Sequence, residues 1–100
     1  NLKNQGQIAN LPQGAVVETN AYFCQNEIRP LSAGSLPAEL APLIARHSAN
    51  QEMIVEAALT HDKDLAFQAI YNDPSNSLTI DQAWDMFNEM LQAGREEFTF

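Results

Sequence analysis

Basic side chains are scarce in this sequence: 5 Lys and Arg stand against 13 Asp and Glu among 100 residues, a formal net charge of -8. A chain so charged lacks the cationic face that a phosphate backbone or an anionic lipid surface requires, which argues against nucleic acid and membrane as partners. Cysteine is nearly absent. Cys24 alone cannot close an internal disulfide, so nothing calls for an oxidising compartment. No apolar run approaches the roughly 20 residues that cross a bilayer. The opening Asn1-Leu2-Lys3-Asn4-Gln5 has no apolar segment of the kind a signal peptide needs. A cytoplasmic setting is the expectation. The first residue is not methionine, and the chain enters strand-like sequence at once, so it is expected to be a piece of a longer polypeptide. Also missing are a glycine-rich phosphate loop, a nucleophile elbow, paired metal-ligand spacings, and any repeat.

What remains is a chain that should fold. Hydrophobic residues make up 45% and charged residues 18%, enough apolar surface for one modest domain. The first third has strand and turn chemistry. Ala15-Val16-Val17-Glu18-Thr19 is rich in β-branched residues between Gly14 and Asn20, and Tyr22-Phe23-Cys24 and Glu27-Ile28-Arg29-Pro30-Leu31 follow. Pro30 cannot donate a ladder hydrogen bond, so the third of these belongs at an edge. From Leu36 the apolar period becomes helical and runs to about Leu59. Pro42 would interrupt it, which predicts a first turn around Pro37 and a regular helix from near Ala41. Asp62 is placed to cap a second helix that Asn72-Asp73-Pro74 ends. Thr79-Ile80-Asp81-Gln82 has the spacing of a capping box for a third helix, with Gly94 as its terminator. The expected fold class is α+β: short antiparallel strands in residues 1–35 packed on about three helices in residues 36–100.

Candidate chemistry is thin. Cys24, His47 and His61 are suitable ligand types for a metal, but each lies on a separate element. Cys24 ends an apolar strand as a small hydrophobe, and His47 lies on the apolar stripe of the first helix. Glu52 and Glu56, Asp81 and Asp85, and Glu96-Glu97 read as solvated acidic faces rather than acid–base pairs. Glu18, inside a β-branched run, is expected to be partly buried as an acceptor for loop N–H groups. Trp84, Phe87 and Leu91 form an apolar stripe that a helix normally buries, or that a free-standing interaction module would present.

One ordered set of residues carries a resemblance. Asn4, Gly6, Ile8, Asn10-Leu11-Pro12, Val16-Val17-Glu18, Gly34, Leu36-Pro37, the run Val55 to Thr60, then Ala69 and Asp73-Pro74 span most of the chain. In this order they resemble the C-terminal part of glycoside hydrolase family 4, the NAD- and divalent-metal-dependent α-galactosidases, α-glucosidases, α-galacturonidases and 6-phospho-glycosidases. The resemblance implies a fold related to the lactate-dehydrogenase-like C-terminal domain. It also implies a parent enzyme in which a nicotinamide transiently oxidises the sugar and a metal, typically manganese, assists elimination. This route departs from the usual two-carboxylate mechanism. The dinucleotide fingerprint, the metal ligands and the tyrosine base of such enzymes belong upstream. Cys24, His47, His61, Tyr22 and Tyr71 do not match those motifs, and no catalytic, cofactor-binding or metal role is carried onto this chain. The resemblance implies that the chain walls the pocket for a small carbohydrate, packs beside an upstream dinucleotide-binding domain and helps build a homo-oligomer.

Asn10, on a loop, is the foremost candidate for a sugar hydroxyl, with Asn20 second; Asn10 serves equally well as a brace for its own turn. Two departures from the family pattern stand out. Glu18-Thr19-Asn20-Ala21 replaces a common Val-Glu-Val-Pro, a feature nearer the galacturonidase-like members, and His61 stands where glycine is frequent. The rival readings are the interaction module and the tail of an unrelated NAD-dependent dehydrogenase.

Overall fold

The structure is a computed structural model that describes residues 1–97. Four short strands precede three helices: β1 (Leu2–Lys3), β2 (Val16–Val17), β3 (Ala21–Phe23), β4 (Ile28–Pro30), α1 (Ala41–Thr60), α2 (Lys63–Tyr71) and α3 (Ile80–Ala93). The α+β expectation holds. The chain divides into two compact units, Asn1–Ser48 and the residues from Ala49 onward, with the boundary falling inside α1.

In the first unit β1 and β2 pair antiparallel, Leu2 opposite Val17 and Lys3 opposite Val16. β3 and β4 form a second antiparallel ribbon with Phe23 opposite Ile28, and the Cys24 N–H donates to the Glu27 carbonyl at 2.9 Å across the turn. Pro30 ends β4, whose one neighbour is β3, as its missing donor requires. A two-stranded ribbon is barely stable alone. The first unit gains its core from Leu11, Ala15 and Val17, with Ile8, Leu36 and Ala45 packed against them.

Two expectations for this unit need correction. The strand expected over Ala15–Thr19 is only Val16–Val17, and Glu18 is exposed rather than a buried acceptor. The pleat explains it. Side chains alternate along a strand, so with Ala15 and Val17 turned into the core, Val16 and Glu18 face water. β1 was not foreseen, because one leucine and one lysine carry no strand signal of their own.

The helices begin and end where their local chemistry sets them. The Pro37 carbonyl accepts from Leu40 and Ala41, both at 3.0 Å, closing a turn before α1. Pro42 is therefore the second residue of α1, where it breaks no intrahelical bond. After Thr60, His61 takes a left-handed conformation at φ 56°, the position glycine favours. The Asp62 N–H returns to the Ala57 carbonyl at 3.0 Å. Asp62 then caps α2, its Oδ1 accepting from Leu65 N–H at 3.0 Å. The capping box at α3 is complete: Gln82 N–H donates to Thr79 Oγ1 at 3.3 Å, and Thr79 N–H to Gln82 Oε1 at 3.1 Å. Thr79→Ala should lower the stability of the second unit by about 1 kcal/mol. An unchanged urea midpoint would contradict this role for the cap.

α2 and α3 meet through aromatic rings. Phe67 lies edge-on to Trp84 at 4.7 Å between centroids and 5.6 Å from Phe87. Lys63 Nζ stands 5.3 Å from the Trp84 ring centroid and donates to Asn88 Oδ1 at 3.0 Å. The predicted stripe is thus mostly internal to the unit. Phe87 is 3% exposed and Leu91 half-buried, while Trp84 keeps 38% of its surface. Asn50, buried on α1, donates to the Ala69 carbonyl at 3.2 Å and accepts from Asn72 Nδ2 at 2.8 Å.

Candidate functional site

Between β1 and β2 the chain runs through a loop over residues 4–15, and the side chain that organises it is Asn4. Asn4 is 2% exposed. Its Nδ2 donates to the carbonyls of Ile8 (2.9 Å), Leu11 (3.1 Å) and Pro12 (3.2 Å). Its Oδ1 accepts from the N–H groups of Gly6 and Ile8, both at 3.1 Å. Its own N–H donates to the Ala15 carbonyl at 2.7 Å, and its carbonyl accepts from Gly14 N–H at 2.8 Å. A loop of this length would otherwise leave backbone groups without partners, and one buried carboxamide satisfies them. Gly6 at φ 115° makes the turn that brings these groups around Asn4.

A second segment is wired to the loop. Ile8 bridges Gly34 in parallel register, Ala9 N–H donates to the Gly34 carbonyl at 2.8 Å, and Ala33 N–H donates to the Gln7 carbonyl at 2.7 Å. Asn10 continues this short ladder with its side chain. Nδ2 donates to the Leu36 carbonyl and Oδ1 accepts from Leu36 N–H, each at 2.8 Å. The carboxamide of Asn10 is committed to backbone 26 residues away.

Asn20 stands apart from that construction. It is exposed at the join of the two ribbons, and its carbonyl accepts from Leu31 N–H at 2.8 Å. With Leu2, Thr19, Ala21, Phe23 and Ile28 it borders a shallow cavity of about 440 Å³. Sequence reasoning singled out Asn10 and Asn20 but passed over Asn4, whose signal was only its place at the head of the Asn-x-Gly-x-Ile-x-Asn-Leu-Pro pattern.

The second unit holds an apolar groove of about 400 Å³, lined by Ile54, Ala57, Ile70, Phe87, Met90 and Leu91, with His61 and Glu97 also on its lining. Its walls suit apolar side chains and offer little to a sugar.

The candidate metal ligands do not come together among the described residues. Cys24 is exposed on the β3–β4 turn, His47 lies within α1, and His61 is in the α1–α2 turn. Among the described residues no three His, Cys, Asp or Glu side chains gather as a metal would need. The N-terminus of α2 is already occupied by the Asp62 carboxylate, and that of α3 by Thr79 with Asp81 in its first turn. An acid there opposes a pyrophosphate rather than receiving it. Glu52, Glu56, Asp81 and Asp85 are all exposed.

Residues 1–75 match the family described as Family 4 glycosyl hydrolase C-terminal domain, and the chain belongs to that family. It is 48% identical over 92 residues to an α-galacturonidase of Bacillus subtilis (strain 168), covering 92% of this chain and 21% of that protein. It is 46% identical over 92 residues to an α-galacturonidase of Thermoanaerobacterium saccharolyticum, covering 92% of this chain and 20% of that protein. Among solved structures, a 6-phospho-α-glucosidase from gut microorganisms, in complex with NAD and glucose-6-phosphate, superposes with a TM-score of 0.88 at 26% identity. That match covers 98% of this chain and 23% of the other. The chain therefore spans about one fifth of the length of the relatives it matches.

Proposed function

We propose that this chain is the C-terminal portion of a glycosidase that cleaves O-glycosidic bonds with the help of NAD and a divalent metal, manganese in the first instance. The observation that carries the reading is the family match over residues 1–75. The hydrogen-bonded loop built on Asn4 and Asn10 agrees with it, since rigid surface loops are where binding groups sit. In the parent enzyme the nicotinamide supplies transient oxidation of the sugar and the metal assists elimination. This chain contributes wall and scaffold: the loop through Asn10-Leu11-Pro12, with Asn20 at the ribbon join, faces the carbohydrate.

The exposed apolar surface fits such a role. Phe23 is 75% and Tyr22 65% exposed on β3, one on each face of the ribbon, and both faces thus offer a large apolar side chain to a neighbour. The proposed covers are the upstream dinucleotide-binding domain of the same polypeptide and a second copy in a homo-oligomer. No helix among the described residues is long and apolar enough to cross a membrane. The cytoplasm is the proposed compartment, with Cys24 as a free thiol.

An α-galacturonide is the proposed substrate, from the 48% and 46% identities to α-galacturonidases. The full-length polypeptide, supplied with NAD and manganese, should release nitrophenol from a nitrophenyl α-galacturonide faster than from the galactoside or a 6-phosphoglucoside. A preference for either of the others would refute the galacturonide assignment, and no hydrolysis of any glycoside would refute the enzyme reading. A free-standing interaction module predicts that last result.

A further inference from the structure

We infer that Asn10 is a positioning residue that locks segment 33–36 onto loop 7–10 and so shapes the wall of the pocket without itself holding the sugar. The inference rests on the proposed reading of the loop as pocket wall. The backbone ladder between the two segments has rungs at Gln7–Ala33 and Ala9–Gly34. It does not run on as ordinary strand pairing, because the loop turns there and Leu11 N–H donates back to the Ile8 carbonyl at 3.3 Å. At that point the carboxamide of Asn10 takes the place of a peptide group. It donates to the carbonyl and accepts from the N–H of one residue, Leu36, at 2.8 Å each.

No other neutral side chain of this length offers a donor and an acceptor fixed in one plane at that reach. Alanine loses both bonds, and aspartate keeps the acceptor but turns a second oxygen toward a carbonyl. The clamp takes one N–H of Nδ2 and one lone pair of Oδ1, and a sugar hydroxyl that used either of those would displace a Leu36 bond. The loop side is held independently by Asn4, so loss of the Asn10 clamp frees Leu36-Pro37 while Leu11-Pro12 stays in place.

The test uses the full-length enzyme with NAD and manganese, comparing wild type, Asn10→Ala and Asn10→Asp on nitrophenyl α-galacturonide and α-galactoside, with amide exchange read in parallel. A displaced wall should raise KM by about tenfold or more, by a similar factor on each glycoside the wild type cleaves, with aspartate the milder change. Exchange should quicken at Leu36 and leave the β1–β2 rungs unchanged. An unfolded fraction lowers kcat without touching KM, so an unchanged KM would overturn the assignment. So would a loss confined to one sugar, which would mean direct contact. If the wild type hydrolyses no glycoside, the enzyme reading fails and this assignment falls with it. An active wild type with an indifferent Asn10→Ala overturns the positioning role alone.

Discussion

Asn4→Ala should destabilise the first unit by about 3 kcal/mol or more, a large effect for a polar residue. The side chain is 2% exposed and serves five backbone groups at once. Removing it strands the buried Leu11 carbonyl and the partly buried N–H groups of Gly6 and Ile8, and leaves the Ile8 and Pro12 carbonyls only the longer bonds from Leu11 and Ala15 N–H, at 3.3 and 3.4 Å. A buried polar group without a partner costs about 1–3 kcal/mol, and partial hydration of the looser ones keeps the total below the sum. Asn4→Asp should be no milder, because a carboxylate would then face three carbonyl oxygens. Native-state amide exchange at Ile8 and Gly14 reads the effect directly, with a rise on the order of a hundredfold expected. Acceleration under fivefold at both amides would show that the loop holds its shape without its hub.

Phe87→Ala should cost the second unit about 3–5 kcal/mol, the range for emptying a buried aromatic site. Phe87 is 3% exposed, lies 5.6 Å from the Phe67 centroid and 6.0 Å from that of Trp84, and lines the apolar groove. The cavity left behind cannot close cheaply, since α2 and α3 are held by their own caps and by the contact of Lys63 with Trp84 and Asn88. Phe87→Leu keeps most of the volume and should cost less than half as much. Trp84, the one tryptophan in these 100 residues, reports the packing through its fluorescence during urea denaturation. A loss under 1 kcal/mol for alanine would mean that the stripe is not the core of this unit.

The helices were legible in the sequence because their signals are local. A cap and the groups it satisfies lie within four residues, so Asp62 and the pair Thr79 and Gln82 announce their helices unaided. The left-handed turn at His61 came instead from the family pattern, in which glycine is frequent at that place. The ribbons were harder. With two or three residues per strand, pairing depends on what the intervening loop brings together, and Leu2–Lys3 has no propensity to declare. Glu18 misled because a β-branched run looks buried on both faces until the pleat assigns one face to water. Asn4 was silent for a further reason. An asparagine in a polar stretch looks like any turn residue, and its carbonyl partners lie four to eight positions ahead. Asn10 reaches 26 residues forward, beyond any local rule. The family pattern pointed to both residues without saying what they do.

We propose that this chain walls and supports a reaction centre whose nucleotide and metal sites lie elsewhere in a longer polypeptide. Calorimetric titration of NAD, with manganese present, into the 100-residue chain and into the full-length protein tests it most directly. Saturable heat is expected from the full-length protein and none from the 100-residue chain alone. Tight binding of the nucleotide by the chain would contradict it.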